Sequence, residues 1–383
     1  ECLMYRILVS NAETRKAFDI ISILTYTFPD VPMICGNTEG TMSIKRHLER
    51  IFRGKAEVLR TDDVVLCVED FCAIADKYKD NQIVFIPVEE KTIVHFYKFV
   101  EKYGQKNYVY ILPKVEVYHL FRDKKVLNDF CSENKLSAPA HYKVEEIDNL
   151  KPEQFPVLLK PCVGSGSEGQ YRLYKWEDYT DSIREEVSKK NYLVQELIPN
   201  GHDVQGTFYL YHNGEMIDAY SHQRIRTSPP TGGVTVLSKL HINLPLIAEG
   251  KKILDKAGWN GLVMLEFLLD ERIGKYKVIE ANPRVWGSIM LSEFSGRNLL
   301  SNYVRLCMDQ NPLFNYRTEE TYIRWFFPVD VLNYIKKLGC IKGFWNFKNT
   351  CFINWSYASR GSAILFNLSN LFNIKNIKRF FRH

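Results

Sequence analysis

Two glutamates and an asparagine stand where a sheet should carry hydrophobes. In the stretch GLVMLEFLLDERIGKYKVIEANPRVWGS (261–288), Val263, Leu265 and Phe267 alternate with Met264, Glu266 and Leu268, so in a strand Glu266 points to the face opposite Phe267. The polar run DERIGKY makes a turn and returns a second strand, in which Glu280 and Asn282 stand two residues apart and share one face. An ionised carboxylate in an apolar run is costly unless it is paired or bound to a metal. Two carboxylates and an amide oxygen are hard donors of the kind that suit Mg²⁺, or Mn²⁺, carrying a nucleotide phosphate. Each Glu alone reads as an edge-strand side chain facing water; the spacing Glu-x-Asn-Pro-Arg, ending at Arg284, turns the reading toward a metal site.

Three more groups follow the same chemistry. The run GSGSEG (164–169) joins two strands, and with no large side chains its N–H groups can approach a polyphosphate closely. Lys160 precedes it at a strand end, placed to put a point charge on phosphates, although the pattern is not that of a P-loop. At 195–203 the order Gln-Glu-Leu-Ile-Pro-Asn-Gly-His-Asp puts irregular backbone after a strand, free for a purine edge, with an acid seven residues beyond Glu196 in reach of ribose. Arg224 and Arg226 lie on a strand leaving an Asn213-Gly214 hairpin and suit an acceptor pocket, a γ-phosphate or open surface equally. His222 and His241 read as structural, and Cys162 as a packing residue, since no His or Asp pattern supports a nucleophile. Glu89 and Glu90 follow a strand end, where α/β sheets commonly place ligands.

The elements that must hold these groups begin with alternating strands and helices over residues 5–120. Strands are expected at Tyr5–Ser10, Val31–Cys35, Val64–Val68, Ile83–Pro87 and Tyr108–Leu112, with helices at Asn11–Phe28 and Thr92–Tyr103, which makes a parallel sheet covered by helices. No G-x-G-x-x-G follows the first strand, so a dinucleotide site there lacks its usual phosphate loop. A helix is expected over Phe121–Lys135, strands over Val157–Lys160, Tyr171–Tyr174 and Tyr192–Leu197, and a helix over Pro245–Gly258 ended by its glycine.

Composition bounds the rest. A chain of 383 residues with 45% hydrophobic residues can bury two or three cores. Nine scattered cysteines without a C-x-x-C pair read as reduced thiols, and with no leader pattern evident at MYRILVS a cytoplasmic location is expected. The charge of +6 is uneven: residues 311–383 hold eleven Lys or Arg against three Asp or Glu, a net of 11 − 3 = +8. Seventeen aromatics sit in the same stretch, and in its last turns Ile374, Ile377, Phe380 and Phe381 face away from Lys375, Lys378, Arg379 and Arg382. Such a segment suits the anionic inner surface of a membrane, or a helix docked on the body with its basic face in water; no nucleic-acid module accompanies the charge.

Taken in order, Lys124, Lys160 with its Gly/Ser flap, Glu196 with a later acid, Glu266, and Glu280-Ala-Asn-Pro-Arg284 resemble the ATP-grasp superfamily over roughly residues 5–310. NPRVWGS with HQRIR and the PPTGG loop is similar to its group of ATP-dependent carboligases, near D-aspartate ligase, carbamoyl-phosphate synthase and D-alanine ligase. The resemblance implies an α/β and α+β fold: a Rossmann-like domain over 1–120, then an ATP-grasp domain over 121–310 with a lid subdomain at 140–198 and a large subdomain at 199–310, and a basic, aromatic extension at 311–383. It implies that Lys124 and Lys160 contact the α- and β-phosphates and that a flap of Gly164, Ser165, Gly166 and Ser167 closes over the triphosphate. Glu196, with the backbone of Leu197 and Ile198, would meet adenine; Asp203 would hold ribose; Glu266, Glu280 and Asn282 would bind Mg²⁺; Arg284, with Lys160 and Arg224, would serve the transferred phosphoryl group. Pro199 stands where many relatives offer a hinge N–H, which makes Ile198 the adenine donor, and Asp203 is shorter than the commoner Glu. The implied activity joins a small carboxylate to an amine through an acyl phosphate at the expense of ATP. The alternatives are a bicarbonate-using carboxylase or carbamoyl-type synthase, and an ATP-binding, membrane-associated regulator without turnover.

Overall fold

The structure is a computed structural model and describes residues 4–12, 14–38, 56–61, 66–164, 169–199, 204–228, 234–337 and 339–371. Its first layer is a five-stranded parallel sheet of β1 (Met4–Val9), β2 (Met33–Thr38), β3 (Ala56–Thr61), β4 (Asn81–Ile86) and β5 (Tyr108–Val109), in the order β3-β2-β1-β4-β5. Helices α1 (Arg15–Thr27), α2 (Val68–Lys77) and α3 (Glu90–Tyr103) connect these strands. Consecutive residues Ile7, Leu8 and Val9 are all buried, because odd positions enter the core beneath α1 and the even position enters the one beneath α2 and α3. A strand covered on both faces reads as an unbroken apolar run, which is why this layer is legible in the sequence.

One expected strand is revised. Val68 opens α2 instead of closing a strand, and residues 62–65 lie outside the described residues. The Cys67 N–H donates to Asp70 Oδ2 at 2.7 Å, and Glu69 and Asp70 sit in the first turn, where the helix dipole favours acids. The expected helix over 121–135 is likewise two: α4 (Val115–Arg122) and α5 (Lys124–Glu133). Between them Asp123 leaves helical geometry and its Oδ1 accepts from the N–H groups of Lys125 and Val126, so it caps α5 and makes Lys124 that helix's first residue.

A small antiparallel sheet follows, β6 (His141–Tyr142), β7 (Val157–Pro161), β8 (Tyr171–Leu173) and β9 (Tyr192–Glu196) in the order β6-β9-β7-β8, packed on α6 (Asp181–Ser188). The third sheet contains β10 (Gln205–His212), β11 (Glu215–Ser228), β12 (Val234–Leu240), β13 (Gly261–Asp270), β14 (Lys275–Asn282), β15 (Tyr322–Arg324) and β16 (Thr350–Phe352). Their order is β14-β13-β10-β11-β12-β15-β16. Helix α7 (Leu244–Ala257) covers one face; α8 (Ile289–Phe294) and α9 (Leu299–Cys307), packed on α1, cover the other.

The chain beyond residue 310 is therefore not an appended extension. β15 pairs antiparallel with β12, and β16 pairs parallel with β15. After α10 (Val331–Lys336), helix α11 (Arg360–Leu371) brings Phe366 onto Phe18 of α1 with ring centroids 4.0 Å apart. Arg324 is 1% exposed, with the rings of Phe326, Phe344 and Phe347 within 5.3 Å and Asp330 accepting its Nε–H at 2.6 Å. Part of the aromatic excess in this stretch thus builds a core around one buried cation, while the other described Lys and Arg of the stretch are exposed. The amphipathic turns from Ile374 to Arg382 lie outside the described residues, and among the described residues no helix is long and apolar enough to cross a membrane.

Candidate functional site

The β13–β14 ladder pairs Glu266 directly with Glu280 and Met264 with Asn282, which puts both carboxylates and the amide on one face of the large sheet. The register then slips: Phe267 faces Val278, so Ile279 is an extra residue in β14. A bulge leaves such a residue's ladder groups unpaired, and the Ile279 carbonyl accepts from Lys160 Nζ at 2.8 Å. One irregularity in the hairpin thus anchors the lysine of the lid beneath the two glutamates.

Lys160 is 3% exposed, and burial pulls its ammonium down to about 8, against the pull of Glu280 and Glu266 and with the push of Lys124. Lys124 Nζ stands 3.3 Å from Glu280 Oε1 and donates to the Gly164 carbonyl at 2.7 Å, while its backbone N–H donates to Cys162 O. The two expected phosphate lysines therefore stand on either side of Glu280, Lys124 against its carboxylate and the Gly164 carbonyl, Lys160 on the neighbouring Ile279 carbonyl. Burial, with Glu266 opposite, raises the Glu280 carboxyl above its ordinary value despite the two lysines. The two carboxylates already have Lys124 and Arg224 beside them, and their hard oxygens on one face are of the kind that suit a divalent cation. Among the described residues no three His, Cys, Asp or Glu side chains form a metal cluster; the expected donors are two carboxylates and the Asn282 amide.

Asn282 Oδ1 also accepts from Arg284 Nη2 at 2.9 Å. Arg284 lies 3.6 Å from Glu90, which also accepts from Arg122 at 3.2 Å, and the Val285 N–H donates to Pro87 O. The end of the acidic hairpin is thus tied to the carboxyl end of β4. Glu90 positions Arg284, and Glu89 pairs with Lys16 at 2.9 Å, whose amine burial lowers to about 7. Arg224 pairs with Glu266 at 3.0 Å, whereas Arg226 turns away to a two-pronged pair with Asp330.

At the far end of the lid, Glu196 accepts from the Ala140 N–H at 2.8 Å, Lys277 at 2.6 Å and Arg272 at 2.8 Å. These donors, set against its burial, hold its carboxyl below the usual range. The Leu197 N–H is engaged by Pro156 O, while among the described residues the N–H of buried Ile198 has no acceptor. Ser165, Gly166, Ser167 and Asp203 lie outside the described residues; Gly164, at φ +138, has open space around it. Burial pushes the Cys162 thiol up to about 11, as suits a packing residue.

Beside Glu266 opens a cavity of about 190 Å³ whose lining includes Asn282, Arg224, Arg284, Trp286, Arg15, His222 and Ser238. Arg15, His222 and Ser238 were missed as site residues. His222 was legible, since it precedes Arg224 by two and so shares its face; Arg15, one cation at a helix start, carries no local signal.

A parallel α/β domain followed by a small lid and a large sheet, closing around acids on a hairpin and lysines on two earlier segments, is the ATP-grasp fold. No protein-family model matches the chain. A stretch of 186 residues is 25% identical to methylcrotonoyl-CoA carboxylase subunit alpha, mitochondrial, of Oryza sativa subsp. japonica; it spans 43% of this chain and 25% of that protein's length. Among solved structures, the biotin carboxylase domain of Hydrogenobacter thermophilus 2-oxoglutarate carboxylase, in complex with MgADP, ADP and bicarbonate, is similar over 84% of this chain and 74% of its own, with 16% identity and a TM-score of 0.64. Phosphoribosylglycinamide synthetase from Anaerococcus prevotii is similar over 84% of this chain and 79% of its own, with 16% identity and a TM-score of 0.57. At such identities it is the fold that is shared.

Proposed function

We propose that the chain is an ATP- and Mg²⁺-dependent, ADP-forming ligase that activates a small carboxylate as an acyl phosphate and joins it to an amine. The observation that carries this reading is the Glu266–Glu280 pair on one face, with Lys124 and Lys160 behind it and the arginine-rich cavity in front. Lys124 and Lys160 hold the α- and β-phosphates, with Gly164–Ser167 as the closing flap. Ile198 and Glu196 face adenine, and Asp203 holds ribose. Glu266, Glu280 and Asn282 hold Mg²⁺, which supplies neutralisation of the phosphate charge when bound.

Arg284 and Arg224 lie in the cavity on the substrate side of the acids, where negative charge collects as the γ-phosphoryl group passes to the carboxylate oxygen. A carboxylate is a poor acyl donor because its oxygen leaves badly. Phosphorylated, it yields to an amine, with phosphate departing, provided that water is excluded. The test is ADP release from purified protein with Mg·ATP and a panel of amino and hydroxy acids, with hydroxylamine as trapping amine. Neither hydroxamate nor ADP from any acid would overturn the ligase reading.

A second reading, bicarbonate as the acid activated, is favoured by the biotin carboxylase likeness, since one such structure carries MgADP and bicarbonate. Val236, Ile323 and Ile353 in the cavity lining argue for a substrate with carbon to bury. Bicarbonate-dependent ADP release without any amino acid selects the carboxylase.

A further inference from the structure

Nucleotide and metal leave several groups in the cavity without a task. His222 is 2% exposed and neither ring nitrogen has a hydrogen-bond partner among the described residues; the Ser238 hydroxyl, fully buried, has none either. Both line the cavity, on neighbouring strands β11 and β12. Burial and nearby Arg224 pull the His222 imidazole down to about 3, so it offers a neutral donor and a neutral acceptor. Buried polar atoms are normally satisfied, and two unsatisfied side chains facing one small space point to a ligand that completes them.

The cavity's charge says what else that ligand carries. Arg224 is paired with Glu266 and Arg284 with Glu90. Arg15 reaches in from the first domain; the buried Asp19 carboxylate one turn on attracts it, but among the described residues no carboxylate lies within ion-pair distance of it. It is fixed nonetheless: its guanidinium lies over the Trp325 ring at 4.3 Å and donates to Gly287 O at 3.4 Å. A Cβ at Gly287 would stand 2.8 Å from Arg15 Nη2, so the glycine leaves room for the guanidinium where it lies. A held, unpaired guanidinium in a cavity is an anion site. Ile323 and Ile353, from the same late segment as Trp325, supply an apolar wall.

We propose that this cavity is the specificity pocket for a small amino or hydroxy acid, its carboxylate on Arg15 braced by Trp325, its neutral nitrogen or oxygen on His222 and Ser238, and its carbon frame against Ile323 and Ile353. The inference deepens the ligase reading and rests on it for the identity of the acid as substrate. It places substrate choice on the first domain, on β11 and β12, and on residues 323–353. A space of about 190 Å³ suits a small acid.

The test is thermal shift and calorimetry on the full chain, with and without Mg·ADP. The probes are glycine, L- and D-alanine, L-serine, L-aspartate, glycolate and L-lactate, each beside its amide. The expected result is stabilisation by at least one acid and not by its amide. Arg15→Gln should weaken that acid at least tenfold with the Mg·ADP shift intact. Ser238→Ala removes a hydroxyl that bonds nothing in the fold; it should melt no lower than wild type and bind the acid several-fold more weakly. No acid bound, an amide bound as tightly as its acid, or both variants binding as wild type would overturn the inference. Acid binding without a Mg·ADP shift would fail the nucleotide reading alone, and a Mg·ADP shift without acid binding would fail this inference alone.

Discussion

Replacing Glu280 by Gln separates a carboxylate that serves the fold from one that the fold tolerates for function. Burial and Glu266 together outweigh Lys124 and Lys160, so the environment of Glu280 disfavours its charge on balance. The sign of that shift sets the expectation: a neutral isostere does not destabilise. Gln keeps an oxygen for Lys124 Nζ, now 3.3 Å from Glu280 Oε1, and relieves the repulsion from Glu266 across the ladder. Lys124 loses its charged partner but retains the Gly164 carbonyl. The melting temperature should therefore stay within a few degrees of wild type, a change of about 1 kcal/mol or less. Cation binding should suffer. A unit charge about 4 Å from another is worth ~4 kcal/mol at an effective dielectric of 20, and the ion's hydration offsets most of that. Tenfold weaker Mg²⁺ half-saturation, ~1.4 kcal/mol, is then a floor. The assay is ADP release against Mg²⁺ concentration at saturating ATP, paired with apo melting curves. Unchanged Mg²⁺ dependence would refute the metal assignment, and an apo protein that melts far lower would show the charge to be structural.

Three further outcomes follow from single residues. Lys160, held near 8, binds phosphate only when protonated, so nucleotide affinity should fall as pH rises from 7 to 9, approaching tenfold per unit above the transition; calorimetry should find Lys160→Met weak and flat over the same range. Burial raises the Glu293 carboxyl to about 7 despite donors at Leu300 N and Ser301 Oγ. Its stability contribution is full below its ordinary pKa and lost as pH rises through 7, a fall of about 3 kcal/mol that denaturant melts should find flattened in Glu293→Gln. Gly261 opens β13 at φ +93, and a Cβ there would collide with the Ile111 carbonyl at the end of the first sheet. Gly261→Ala should lose more than about 2 kcal/mol by the same melts, because both backbone strain and a rigid contact oppose it.

How far the sequence carried depends on the range of the forces involved. The β13–β14 hairpin and β1, β2, β4 and β5 of the first sheet follow from period-2 and continuous apolar patterns, which are local, whereas β3 at Ala56–Thr61 was not expected. The split at Asp123 was also local, an N-cap inside the stretch expected as one helix over Phe121–Lys135, and with it went the reason Lys124 is aimed at Glu280. The bulge at Ile279 is invisible in composition, since an extra residue in one strand shows only against its partner. The late segment was misjudged for a different reason. Its aromatics and cations suggested a surface, yet Arg324 is buried among rings and satisfied by an acid six residues on, a pairing that no amphipathic periodicity records.

The cavity is held between two carboxylate clamps that come from opposite ends of the chain. On one side Glu90 of the first domain draws in Arg284, and Arg284 in turn fixes the Asn282 amide beside the acid pair. On the other, Asp330 grips both Arg226 of β11 and Arg324 of β15, which fixes the strand that carries His222 and Arg224 against the strand that carries Ile323. Asp330 is fully buried, so removing it leaves two arginines short of a partner in the core and costs several kcal/mol. Glu90 is half-buried at the rim, and its loss frees Arg284 without emptying a core site. The two clamps should therefore part company: Asp330→Asn lowers stability and disorders the acid-binding wall together, whereas Glu90→Gln leaves the melt near wild type and acts on Arg284. In the ADP-release assay Glu90→Gln should lower kcat with little change in the acid's KM, because Arg15, which holds the acid, is braced by Trp325 and Gly287 and not by Glu90. A raised KM with unchanged kcat would reverse the assignment and put Arg284, not Arg15, on the acid.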